Sequence, residues 1–89
     1  MAAIRVQVYG RVQGVGFRYH TRNQAVALHL VGWVKNMHDG SVTVQAQGDA
    51  QHLTQLLEWL HQGPPHCRVE RVESDWVEAE KDLTGFATY

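Results

Sequence analysis

The chain has 89 residues, 44% of them hydrophobic, which is enough for one buried core and too little for two. Eight basic residues stand against nine acidic ones, and a formal net charge of −1 offers no general attraction for nucleic acid or an anionic membrane surface. No apolar run approaches the roughly 20 residues of a membrane span, no signal-peptide pattern opens the chain, and the single cysteine excludes an internal disulfide or a multi-cysteine metal site.

Residues 1–89 therefore read as a single domain, held by packing alone, with the cytoplasm as its default location. Ile4, Val6, Val8, Gly10 and Val12 alternate with Arg5, Gln7, Tyr9, Arg11 and Gln13, the period of a strand with one apolar face. From Phe17 to about Leu30 the pattern changes: Phe17, Thr21, Gln24, Ala25 and Leu28 share one side of a helix. Gly32 to Asn36 reads as a short strand, Met37-His38-Asp39-Gly40 as a turn, and Val42, Val44 and Ala46 as a second strand running to Gly48, which together make a hairpin. Asp49 is a candidate N-cap for a helix in which Leu53, Leu56, Leu57 and Leu60 fall at i, i+3, i+4 and i+7, before Gly63 and two prolines stop it. Val69 to Val77 reads as a strand and Gly85 to Tyr89 as a terminal one, with the acidic stretch Glu78 to Asp82 as the loop between them. No internal repeat, low-complexity tract or linker interrupts this order.

The order is βαββαβ plus a C-terminal strand. Each helix has one apolar stripe and each strand one apolar face, so both helices are expected on the same face of a mainly antiparallel sheet. That arrangement is the ferredoxin-like, two-layer α+β sandwich built on a split βαβ unit.

Chemistry concentrates at Gly14-Val15-Gly16-Phe17-Arg18, where the first strand gives way to the first helix. Two glycines permit positive φ, so that successive amide N–H groups point into one concavity, and the helix adds the unpaired N–H groups of its first turn. A small anion such as phosphate fits such a cradle. Arg18 stands in that first turn, where the helix dipole disfavours a cation, and a bound anion would offset the repulsion. Asn36, at the end of the second predicted strand, is the candidate second group. Its carboxamide does not titrate near neutral pH, so it is suited to holding a water in line rather than to taking its proton.

A site this sparse constrains the leaving group. An alkoxide normally demands a general acid or a metal, whereas a carboxylate, whose conjugate acid has a pKa of about 4, departs unaided. A mixed carboxylic-phosphoric anhydride therefore suits the residues, and neither metal nor cofactor is required. Fixed donors and Arg18 would stabilise the charge spread over the equatorial oxygens of a loose phosphoryl-transfer transition state.

Other residues have plainer readings. None of the six histidines forms a ligand-spaced pair with supporting carboxylates. His20 lies near the proposed site, but a solvated surface role is the simpler one. Cys67 lacks an arrangement that clearly activates it beyond its neighbours His66 and Arg68, and reads as an incidental thiol. Trp33, Trp59 and Trp76 read as packing or half-buried residues. Arg5 and Arg11 share a strand face with Tyr9, as on an RNA platform, yet the aromatic spacing of an RNA-binding sheet motif is absent and a solvated face is the better reading.

The segments Gly10-Arg11-Val12-Gln13-Gly14-Val15-Gly16-Phe17-Arg18, Gly32-Trp33-Val34-Lys35-Asn36 and Asp39-Gly40-Ser41-Val42 resemble the acylphosphatase family. The resemblance extends to Gly48, to Gly63-Pro64-Pro65 and to Val69-Glu70-Arg71-Val72, and so covers nearly the whole chain; Trp76 to Asp82 is the least family-like part. It implies a ferredoxin-like hydrolase that cleaves acyl phosphates to a carboxylate and orthophosphate. Arg18 would bind phosphate together with the loop Gln13, Gly14, Val15, Gly16 and Phe17, and Asn36 would place the water. The implied partners are an acyl phosphate substrate and inorganic phosphate as product and inhibitor, with no nucleic acid, no membrane and a monomeric chain. Two other readings use the same fold: a binding module for RNA or a small regulator, and an accessory domain of a larger carbamoyl-transfer protein. The absent aromatic motif argues against RNA recognition, and a chain that begins at Met1 and ends in a strand completing the sheet is expected not to be the accessory domain.

Overall fold

The computed structural model describes residues 1–89. Strand β1 (Ala2–Arg11) leads to helix α1 (Phe17–Ala27), followed by β2 (Val31–Asn36), β3 (Val42–Gly48), helix α2 (Ala50–Gln62), β4 (Arg68–Val77) and β5 (Phe86–Thr88). The strands form one sheet in the order β4-β1-β3-β2-β5. Every pairing is antiparallel except β2 with β5, which is parallel. This is the expected ferredoxin-like order with a fifth strand added at the edge.

The alternation along the strands decides which face is covered. Ile4, Val6 and Val8 of β1, Val34 of β2, and Val42, Val44 and Ala46 of β3 point to the helical side and join Phe17, Ala25, Leu53, Leu56 and Leu60 in a single buried cluster. Removing a large apolar side chain such as Leu56 from water contributes about 1.5–3 kcal/mol, so this shared cluster, rather than helix propensity, holds both helices to the sheet. Asp49 caps α2 as expected, its carboxylate accepting from Gln51 N at 2.8 Å. Helix α1 ends at Ala27, earlier than the apolar spacing suggests, because the chain turns at His29 (φ 59°) to send Leu30 back into the core.

Strand β3 departs from simple alternation: Thr43, Gln45 and Gln47, on the side away from the helices, are buried as well. The cover is the segment between β4 and β5. These strands occupy opposite edges of the sheet, about 19 Å apart over four inter-strand steps, and the chain from Val77 to Phe86 can span about 30 Å when extended. It crosses the face that the helices leave open. Gln47 accepts from Glu80 N at 2.9 Å and donates to Glu80 O at 2.9 Å, while Gln45 donates to the Glu80 carboxylate at 2.7 Å. Arg5 completes the layer by donating to Gln45 Oε1 at 2.8 and 3.0 Å. The acidic stretch is thus a strap across the sheet and not merely a connecting loop. Trp76, expected to be packed or half-buried, stands 59% exposed on the outer strand β4.

Candidate active site

The loop between β1 and α1 turns as two glycines allow, with φ of +77° at Gly14 and +76° at Gly16. Gly16 occupies the N-cap position of α1 and supplies no side-chain cap, and no acidic residue stands in the first turn. The opening N–H groups of the helix are therefore left for a partner from outside it. Directly beside them is a cleft of about 400 Å³ whose wall includes Gly14, Gly16, Phe17, Arg18, Arg22 and Asn36.

The cleft brings together residues from three parts of the chain. Arg18 comes from the first turn of α1, Asn36 from the end of β2, and Thr88 from β5. Of the residues picked out in the sequence, Gly14, Gly16, Phe17, Arg18 and Asn36 line it, and Gln13 and Val15 do not. Val15 is partly buried against the core. Gln13 directs its side chain away from the cleft and onto the turn after β2, donating from Nε2 to Met37 O at 2.8 Å and to Ser41 O at 2.9 Å.

Arg18 Nη1 donates to Tyr89 O at 2.6 Å, and Arg22 Nε donates to Phe86 O at 3.2 Å. Both guanidinium groups thus lean on the C-terminal segment, and neither is paired with an Asp or Glu side chain; the one ion pair between side chains, Arg71 with Glu73, lies elsewhere. The result is a cleft walled by positive charge and amide N–H groups. Asn36 also lines the cleft, and its Oδ1 is buried and accepts no hydrogen bond from the protein. Such an orphaned oxygen costs about 1–3 kcal/mol, which a donor supplied by a bound molecule would relieve.

Arg22, Tyr19 and Thr88 also line the cleft without having been singled out in the sequence. Arg22 had one available signal: it lies four residues after Arg18, one helical turn along the same face. Tyr19 and Thr88 carried none. His20, in α1, packs its ring against the loop, so that a Cβ on Gly16 would sit 3.5 Å from its Cδ2, but it is not part of the cleft wall.

The turn carrying Asn36 is closed by Asp39, whose Oδ1 accepts from Ser41 Oγ at 2.6 Å and Ser41 N at 2.9 Å. These bonds, the side-chain one first, hold the Asp39 carboxyl below its ordinary pKa of 3.8. Burial pushes the Cys67 thiol up, which disfavours the thiolate and agrees with its reading as an incidental residue. Nowhere do three or more His, Cys, Asp or Glu side chains gather to hold a metal ion, and no helix is long and apolar enough to cross a membrane.

Known proteins share both the sequence and the fold. The family model described as Acylphosphatase matches residues 4–88. A protein from Thermococcus kodakarensis named acylphosphatase is 48% identical over 81 residues, covering 91% of this chain and 88% of that one. Among solved structures, an acylphosphatase from Bacillus subtilis superposes with a TM-score of 0.95 at 35% identity, covering 100% of this chain and 99% of that one. An acylphosphatase from Coxiella burnetii gives a TM-score of 0.94 at 40% identity, with 99% and 92% covered.

Proposed function

Since the chain belongs to the acylphosphatase family and is a hydrolase of acyl phosphates, we propose that it works by metal-free, in-line attack of a water held by Asn36 on a phosphate held by Arg18 and the amides of Gln13 to Phe17. The observation that supports this reading is the meeting of Arg18, the two positive-φ glycines and Asn36, whose carboxamide oxygen has no partner in the protein, around one cleft. The residues 1–89 act as one domain, as a monomer in the cytoplasm, with orthophosphate as product and competing ligand.

Substrate enters with its phosphate against the loop amides and the Arg18 guanidinium. A water donates to Asn36 Oδ1 and directs a lone pair at phosphorus. As the water O–P bond forms, the bond from phosphorus to the acyl oxygen breaks, and its electron pair leaves on the carboxylate. The proton of the water passes to a phosphate oxygen, so no protein side chain need act as base. The transition state spreads charge over the equatorial oxygens, where preorganised N–H donors are most effective. The carboxylate departs without a proton because its conjugate acid has a pKa of about 4.

The test is a comparison of leaving groups under metal-chelating conditions: benzoyl phosphate against p-nitrophenyl phosphate. Strong preference for the acyl phosphate, unaffected by chelator, is expected. Comparable turnover of both substrates, or inactivation by chelator, would overturn the leaving-group and metal-free parts of the mechanism.

A further inference from the structure

The side chain of Gln13 makes the only side-chain hydrogen bonds that join the loop between β1 and α1 to the turn between β2 and β3. One –NH₂ group spans the gap, its two protons directed at Met37 O and Ser41 O, 2.8 and 2.9 Å away. Those carbonyls flank the turn, and Met37 N also donates to Ser41 O at 2.8 Å, so Gln13 grips the turn at its closing point. Met37 directly follows Asn36, which is itself paired with Val42 across β2 and β3. On the other side, Gln13 directly precedes Gly14, the first glycine of the cradle. The chain therefore links the two halves of the cleft through one carboxamide of fixed length.

We infer that Gln13 is a positioning residue, whose side-chain amide sets the distance and angle between the phosphate on the loop and the water on Asn36. This rests on the assignment of the water to Asn36 made above. The Gln13 side chain reaches the turn and is not part of the cleft wall, so it acts only through the turn. In-line attack is sensitive to such spacing, since a misplacement of about 1 Å can cost up to about a hundredfold in rate. Phosphate binding, by contrast, uses the loop and Arg18 and does not need the turn to be in register. Loss of the clamp should thus appear in kcat and not in affinity for phosphate.

The experiment is a double-mutant cycle on benzoyl phosphate hydrolysis with wild type, Gln13→Met, Asn36→Ala and the double variant, using inorganic phosphate as the inhibitor. Gln13→Met keeps the side chain's length and removes both donors. It should lower kcat by about tenfold or more while leaving phosphate inhibition within about twofold. In the Asn36→Ala background the same change should cost less than about twofold, because there is no longer a positioned water to misplace. Equal losses in both backgrounds, or a parallel loss of phosphate affinity, would show that Gln13 acts on the fold or the cradle and would overturn the inference alone. An Asn36→Ala enzyme with wild-type kcat would remove the water assignment and the role of Gln13 with it. If Gln13→Met does not fold, Gln13→Leu takes its place in the same cycle with the same criteria, since it too is uncharged and has no proton to donate.

Discussion

Arg18 stands where its own helix repels it, in a first turn that contains no acidic residue, and its guanidinium donates to a main-chain oxygen of Tyr89 with no Asp or Glu side chain paired to it. Its place in the cleft wall makes it the residue whose loss should be felt most in binding and in the transition state together. Arg18→Gln is expected to lower kcat/KM by about two to three orders of magnitude, as for a lost transition-state donor, and to weaken inhibition by phosphate. Asn36→Ala is expected to lower kcat while phosphate inhibition persists, because it removes the placing of water and not the anion cradle. Steady-state assays with benzoyl phosphate, and circular dichroism to verify the fold, separate the two. Wild-type turnover in Arg18→Gln would exclude its assigned role. Arg18 was legible from sequence because it is misplaced electrostatically next to a glycine pair. Arg22 carried only its place one turn after Arg18, and an arginine on the polar side of a helix looks the same whether it faces solvent or a cleft.

The turn between β2 and β3 is the element on which the site's geometry depends, and its closure is charge-assisted. Asp39 accepts from both the hydroxyl and the N–H of Ser41, and its folded-state pKa lies below the ordinary value of 3.8. A carboxyl shifted down in this way adds stability that is fully present above 3.8 and is lost as the pH falls from there through the lower folded-state value. Asp39→Asn keeps an acceptor but carries no charge. Its urea-unfolding midpoint should therefore fall less steeply than that of wild type below about pH 4, where an Asp titrates. Superimposable pH profiles for the two proteins would count against the Asp39–Ser41 bonds as a source of acid sensitivity. The turn itself was readable as Met37-His38-Asp39-Gly40, and so were the strands and α2, because period-two alternation and i, i+3, i+4, i+7 spacing survive in the residue order. What spacing cannot carry is a contact such as that of Gln13 with Met37 and Ser41, between residues distant in sequence that show no periodicity of their own.

Across the whole molecule, the feature least visible in the sequence is the strap from β4 to β5. Glu78 to Asp82 has neither the alternation of a strand nor the stripe of a helix, so composition alone marks it as a solvated acidic loop. Its path follows from topology instead: the two edge strands must be joined, and the helices already occupy one face. Gln47 is the anchor, because its carboxamide satisfies both the N–H and the carbonyl of Glu80, whereas the Glu80 side chain makes a single bond to Gln45. Truncating the anchor leaves two backbone groups without partners in a partly buried layer, each worth about 1–3 kcal/mol if unsatisfied, and water entering the loosened strap recovers part of that. Gln47→Ala is accordingly expected to destabilise the protein by about 2 kcal/mol in urea titration and to speed hydrogen exchange at the Glu80 amide. The cleft should be spared. Strand β5 has its own ties to β2, through Gly32 N to Gly85 O at 3.0 Å and Tyr89 N to Val34 O at 2.9 Å, and these do not pass through Gln47. Hence kcat and KM for benzoyl phosphate should match wild type at temperatures where the variant is folded. A fall in kcat with unchanged stability would mean that the strap acts on the site through β5 and the carbonyls that hold Arg18 and Arg22.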